Sequence, residues 1–396
     1  MSRTRFIYLS CFLMAAVTAV FTISCGPKPV QPLGWLDTPE HHTLTGIRLL
    51  QQEKCADAGR EFDLALKLDP RYAKAAAGAG LVKACRGDFA GAQESLDQAK
   101  RYAHSGEEML FALAGQLRVD ALSHAGCLKI GTECPNDDGW LKEAKETFDR
   151  AIRIDPTAAA VHYYMGECYL MALDLEAAGR MFSRVLDINR GYVDQADARW
   201  KLVKKAQRAM PATTTGKKLA LAERITRADA AALFVEELKI DDLYPRWKPK
   251  PSNTALKDRV PERSAGGQTS AADVTGHPLR PEIEKIIRIR IAGLDLYPDG
   301  TFRPEEQVDR VSYAMMIEDI LIRTSGDGAL ATRFSGSRSP FYDLRADHPA
   351  FNAVMVATSR GIMEAGDTAT GAFAPYQPVG GADALLAIRR IREELR

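Results

Sequence analysis

The 396-residue sequence lacks an excess of either charge: 53 Lys and Arg face 52 Asp and Glu, a net charge of +1. That balance gives no reason to expect a nucleic-acid partner or a strongly anionic one. The common signatures of catalysis are missing too. There is no GxSxG nucleophile elbow, no HExxH zinc helix and no glycine-rich phosphate loop, so no enzymatic activity is expected. Cysteine is scarce, at seven residues. No second Cys or His pair stands near Cys127 and Cys134 to complete a zinc site, and neither metal nor cofactor is expected. The His41-His42 pair has no partner cluster and reads as a solvated pair.

What is present begins with a targeting segment. Arg3 and Arg5 precede an apolar run, Phe6 to Ile23, and then Thr22-Ile23-Ser24-Cys25, Gly26 and a proline-rich stretch. Small residues before a cysteine mark a cleavage site. The stretch resembles a bacterial lipoprotein lipobox, which implies a signal peptide over 1–24, lipidation of Cys25 and a tether over 25–38. An uncleaved membrane anchor is the alternative, since about 18 apolar residues can just span a bilayer. Gly26 after the cysteine implies outer-membrane sorting, with the body facing the periplasm. In an oxidising compartment, Cys127 and Cys134, bracketing LKIGTE, are the expected disulfide.

A helical repeat follows. Gly46, Ala58, Phe62 and Ala65 recur 34 residues later as Gly80, Ala92, Leu96 and Ala99. Leu110, Leu113, Ala114 and Leu117, then Ala144, Phe148 and Ala151, fit a third frame. Gly166, Tyr169, Ala178 and Phe182 fit a fourth. Small residues let paired helices approach, and the Phe or Leu fills the space between them. The pattern resembles the tetratricopeptide repeat over 39–209, with Asp194 to Met210 as a capping helix. The resemblance implies a helical-hairpin solenoid. Its groove would carry Leu50, Leu81, Phe111, Arg118, Tyr163 and Glu167 and take a protein or peptide. Packing of that face within the protein itself is the alternative.

Residues 210–222, with their Thr run, read as a linker, and 248–272, polar and rich in Pro, Gly and Ser, as a mobile loop. Around the loop a second repeat runs over 223–396. Asp273, His277-Pro278, Gly300, Phe302 and Pro304 recur as Asp343, His348-Pro349, Gly371, Phe373 and Pro375. Ile225-Thr226-Arg227, Val308-Asp309-Arg310 and Val379-Gly380-Gly381 align before three helices. DLYPDGTFRPEE, residues 295–306, also places Asp295, Asp299, Gly300 and Glu306 as in a calcium loop. Tyr297 occupies a ligand position, however, and the second copy keeps the turn residues while dropping the acids, so the stretch reads as a turn.

These motifs resemble the S-layer homology family, which implies a pseudo-threefold helical module that binds cell-wall polysaccharide. Carried over by position, Arg227, Arg310, Asp299 and Gly300 are the implied glycan contacts. Gly381 stands where the third arginine belongs, so that copy is expected to be incompetent and Gly381→Ala neutral. The whole reads as a mostly all-α, lipid-anchored envelope protein. Its expected partners are a protein or peptide, peptidoglycan or wall polysaccharide, and the membrane through the lipid. A scaffold for envelope export or assembly, without glycan binding, is the alternative.

Overall fold

The computed structural model describes residues 29–131, 139–243, 271–366 and 370–395. Among them the chain is mostly helical and contains no strand, only isolated bridges pairing Thr226 with Gln307 and Asp309 with Pro378. Its contacts form two compact units. One holds the described residues up to Ser123 together with Lys142–Val161; the other holds His124–Leu141 and everything from His162.

The first unit is built from α1 (Pro39–Gln51), α2 (Cys55–Leu68), α3 (Ala73–Cys85), α4 (Phe89–Tyr102), α5 (Gly106–His124, to Ser123) and α6 (Gly139–Ile154, from Lys142). Pro39 suits the first turn of α1, where no intrahelical acceptor exists, and Thr38 caps that turn by accepting from the His41 amide. Asp88 does the same for α4 through the Gly91 amide. Phe62 is fully buried, and a Cβ placed on Gly46 or on Gly78 would lie 2.7 or 2.3 Å from its ring. Leu96 fills the next layer against Gly80 and Gly115. Glycine at these positions therefore sets how closely successive helices stack.

One expectation changes here. Leu50 and Leu81, expected in a groove, belong to the buried core, and Phe111 packs on that core. Apolar helix faces bury against neighbouring helices before they serve ligands. A disulfide that the sequence did not announce joins Cys55 to Cys85, with Cα atoms 6.5 Å apart. The antiparallel stacking of α2 and α3 brings the start of one beside the end of the other, although 30 residues separate them in sequence. Cys127 is also disulfide-bonded, whereas Cys134 lies outside the described residues, as does Cys25.

The second unit comprises α7 (Ala159–Met171, from His162), α8 (Leu175–Ile188), α9 (Val193–Ala209), α10 (Thr214–Ala220), α11 (Arg227–Ala232, continued by a π turn over Leu233–Glu237), α12 (Ile240–Leu243), α13 (Arg280–Ile289), α14 (Arg310–Ser325), α15 (Phe351–Ser359) and α16 (Gly381–Glu394). Phe182 packs on Gly166 much as Phe62 packs on Gly46. Helix α9 packs on α8 and also on α16.

The expected linker at 210–222 is ordered structure instead. Thr213 caps α10, and Gly216, Leu219 and Ala220 are buried. Glu237, only 1% exposed, accepts from the Ala212 amide and from both the amide and hydroxyl of Thr213 at 2.8–3.1 Å. The Thr run is a helix cap held by a buried carboxylate. Of the loop expected over 248–272, only 271 and 272 are described, and Ala271 is buried.

Three segments meet in a closed ring of hydrogen bonds. The Ile225 amide donates to the Val379 carbonyl at 2.9 Å, Val379 to Val308 at 2.9 Å, and Val308 to Ile225 at 3.0 Å. Each residue lies immediately before a helix N-cap, at Thr226, Asp309 and Gly380. Helices α11, α14 and α16 thus start from one centre. Their contact is completed by Tyr313, which stacks on Phe234 and donates its hydroxyl to the Ala384 carbonyl at 2.9 Å.

Candidate functional site: two pockets beside equivalent arginines

The turn at 295–306 is held by its own groups. Gly300 sits at φ 78°, the left-handed region that glycine tolerates best, and Gly371 repeats it at 71°. The Asp299 carboxylate accepts from the Thr301 amide and hydroxyl at 3.0 and 2.6 Å and pairs with Arg303. These bonds pull its pKa down to about 2. Glu306 accepts from the Tyr297 hydroxyl. Asp299 and Glu306, two of the acids that gave the stretch its calcium-loop appearance, are engaged in shaping the turn.

Asp273 reaches the same turn from outside, accepting from the Phe302 and Arg303 amides at 2.9 and 2.7 Å. Asp343 repeats both bonds, at 2.9 and 2.7 Å, on Phe373 and Ala374. His277 and His348 each accept at Nδ1, 3.1 Å from the amide two residues on. The recurring His-Pro pairs therefore close turns.

Arg227 and Arg310 open α11 and α14 from the same position after the cap. Arg227 is 7% exposed, and its three nitrogens all donate to carbonyls: Nε to Phe302 at 2.8 Å, Nη1 to Gly293 at 2.6 Å, Nη2 to Asp295 at 2.8 Å. The guanidinium also lies over the Phe302 ring at 4.8 Å. Arg310 repeats the pattern in part. Its Nε donates to the Phe373 carbonyl at 2.8 Å and its Nη2 to the Glu364 carbonyl, and it lies over the Phe373 ring at 4.6 Å. Burial lowers both guanidinium pKa values. The hydrogen-bond acceptors are carbonyls rather than carboxylates.

A cavity adjoins each arginine. The one beside Arg227 measures about 320 Å³, and its lining includes Asp295, Tyr297, Glu306, Met315 and Met316. Among the described residues, Arg227 is its only cationic lining residue. The one beside Arg310 measures about 540 Å³ and is walled by α9, α14, α16 and residues 361–366. It carries five cationic side chains, Lys205, Arg208, Arg310, Arg389 and Arg390, against Glu364 and Asp383. Of the implied contacts, Arg227 and Arg310 border these cavities, whereas Asp299 and Gly300 line neither. The basic residues on α9 and α16 were missed by motif reading; KKAQR and RRIR were their visible trace.

The remaining expected groove residues lie in different surroundings. Arg118 is half-buried in the first unit. Tyr163 stacks on Tyr192 at 5.1 Å in the second. Glu167 accepts from Arg199 at 3.1 Å, with its other oxygen 2.9 Å from Arg199 Nε but poorly aligned for a hydrogen bond. Burial pushes the Glu167 carboxyl up, against the pull of Arg199. His42, expected to be solvated, is instead enclosed between Glu61 at 2.7 Å and Asp37 at 2.9 Å. Among the described residues no cluster of His, Cys, Asp and Glu could hold a metal, and no helix is long and apolar enough to cross a membrane. Neither a model of a known protein family nor a curated protein matches the chain.

Proposed function

We propose that the protein is a lipid-anchored envelope protein in which a tetratricopeptide-like array docks a protein partner. In this reading an S-layer-homology-like region grips peptidoglycan or an attached polysaccharide. The observation that carries the reading is the ring joining Ile225, Val308 and Val379. It supports treating the three motif copies as one module about a common centre, because each copy contributes the β-branched residue before its helix cap to the ring. The near-identical seating of Phe62 on Gly46 and Phe182 on Gly166, each ring 2.7 Å from where a Cβ on the glycine would stand, supports the repeat reading of the array. The small-residue run before Cys25 supports the anchor.

Purified sacculi test the grip. Full-length protein in detergent should pellet with them, and Cys25→Ala protein should pellet equally while failing to incorporate radiolabelled palmitate. Palmitate incorporation at the parent level would remove Cys25 as the anchor. A second reading, a scaffold for envelope export or assembly without glycan binding, is favoured by one observation: all three Arg227 nitrogens are committed to the protein's own carbonyls. Protein that stays in the supernatant would select it.

A further inference from the structure

We propose that the turn carrying Leu33, Trp35 and Leu36 seats in the headgroup and upper acyl region of a phospholipid bilayer, as a second membrane contact beside the anchor. This contact rests on the anchor reading in one respect, that the stretch ending at Cys25 meets a membrane. It holds alike for a lipid on Cys25 and for an apolar span upstream of it.

The backbone before α1 is braced against the first helical hairpin. The Val30 amide donates to the Lys67 carbonyl at 2.8 Å, near the end of α2. The Asp37 amide donates to the Gly34 carbonyl at 3.1 Å, which closes a β-turn with Trp35 and Leu36 at its centre. One oxygen of the Asp37 carboxylate accepts from the Leu33 amide at 2.6 Å, and the other meets His42 at 2.9 Å. Thr38 then caps α1. The backbone is thus fixed, yet its apolar side chains stay in water. Leu33 is 97% exposed and Trp35 86%, more than any other large apolar side chain among the described residues, and Leu36 is 48% exposed. Elsewhere among the described residues such side chains stand singly along the chain, from Leu44 to Tyr376. Scattered single residues of this kind are ordinary, whereas three on one braced turn form a patch.

The chain itself brings the bilayer to this patch. Leu33 follows Cys25 by eight residues (25 to 33), and an extended chain covers at most about 3.5 Å per residue. The turn therefore stands within about 28 Å of the point where the stretch ending at Cys25 meets a membrane. At that reach the bilayer is held at high effective concentration, so a small patch suffices for contact. The side chains suit the boundary. An indole places its apolar body toward the acyl chains and its N–H toward the headgroups, and two leucines add apolar area beside it. Because the turn is already ordered, little conformational freedom is lost on seating. Residues 30–38 contain no Lys or Arg, so the contact is apolar and needs no anionic lipid.

The test reconstitutes full-length protein into phosphatidylcholine vesicles, with plain or brominated acyl chains, and reads tryptophan emission. Subtracting the Trp35→Phe spectrum from the parent's isolates Trp35. That difference emission should be quenched by brominated lipid and shielded from aqueous acrylamide. Added anionic lipid or raised salt should leave the quenching unchanged. Leu33→Asp should abolish the quenching without lowering the melting midpoint, because the side chain is exposed. Equal Trp35 emission in plain and brominated vesicles overturns the contact. Shielding from acrylamide without bromolipid quenching assigns the turn to a second copy of the chain and overturns it as well. Palmitate labelling of the same proteins keeps the two ideas apart. Trp35 quenched in unlabelled protein removes the lipid from Cys25 and leaves the turn seated. Full labelling with Trp35 unquenched removes the turn alone. Protein that does not float with the vesicles refutes both.

Discussion

Gly381→Ala gives the sharpest test of the architecture, because motif reading and structure disagree on its sign. Gly381 is the first residue of α16, in the place held by Arg227 and Arg310 in the other copies. On propensity alone, alanine should be neutral or stabilise by about 0.4–1 kcal/mol. A Cβ there, however, would lie 1.7 Å from the Leu219 carbonyl oxygen and 2.7 Å from its carbon. Both are backbone atoms of buried α10, so no side-chain rotation relieves the clash. Restoring an ordinary C···O separation of about 3.3 Å requires a shift of about 1.6 Å. That shift stretches the Gly381 amide bond to the Ala222 carbonyl, now 2.9 Å, next to the central ring. Overpacking costs about 1–3 kcal/mol and a lost buried hydrogen bond about 1 kcal/mol more. The net expectation is destabilisation of about 1–3.5 kcal/mol after any propensity gain. Hydrogen exchange should show faster exchange in α10 and α16, and the thermal midpoint should fall. Gly380→Ala is the control, since its nearest contacts are at 3.3 Å and its backbone is extended. A midpoint for Gly381→Ala equal to or above that of the parent would refute the packing of α10 against α16.

Arg227→Ala should cost about 3 kcal/mol or more, because it orphans the Phe302, Gly293 and Asp295 carbonyls together; Arg227→Lys should recover little, and a melt equal to the parent's would remove the structural role. Loss of the Cys55–Cys85 bond, which closes a 30-residue separation, should lower stability by about 3.5 kcal/mol on the chain-entropy account. Urea melts of Cys55→Ser/Cys85→Ser against the parent check this, and coincident midpoints would count against it. Burial opposes the charge on His42, but the bonds to Glu61 and Asp37 outweigh it and raise its pKa above 6.5. Its stabilising contribution is therefore complete below 6.5 and is lost as pH rises through the raised value. Melts between about pH 6 and 8.5 should show a decline that His42→Gln abolishes, and parallel curves for both proteins would dismiss the pair of ion bonds.

Much of the helical framework was legible in the residues themselves. The recurrence of Gly46 with Phe62, and of Gly166 with Phe182, signals close helix contacts because a ring can occupy only the space a missing side chain leaves. The repeated Gly300-Phe302-Pro304 and Gly371-Phe373-Pro375 announced two turns of one kind, and both adopt the left-handed backbone that glycine tolerates best. His277 and His348 each accept from the amide two residues on, a bond that depends only on near neighbours.

What remained hidden depends on residues distant in sequence. Cys55 meets Cys85 only because α2 and α3 stack. The Thr run at 213–215 looks like a linker until Glu237, more than twenty residues on, supplies the acceptors that order it. Gly381 looks like a lost arginine until the Leu219 carbonyl occupies the space where its side chain would begin. The two arginines that share a motif also part company at this level. Their local sequences dictate the same helix start, and the fold gives their Nε groups equivalent carbonyl partners, Phe302 and Phe373. The elements packed around them decide that Arg227 faces acids and Arg310 faces the cations of α9 and α16. Local pattern sets backbone conformation because propensity and capping act over a few residues. Charge environment is summed over every group within several ångströms, and only the tertiary fold chooses which groups those are.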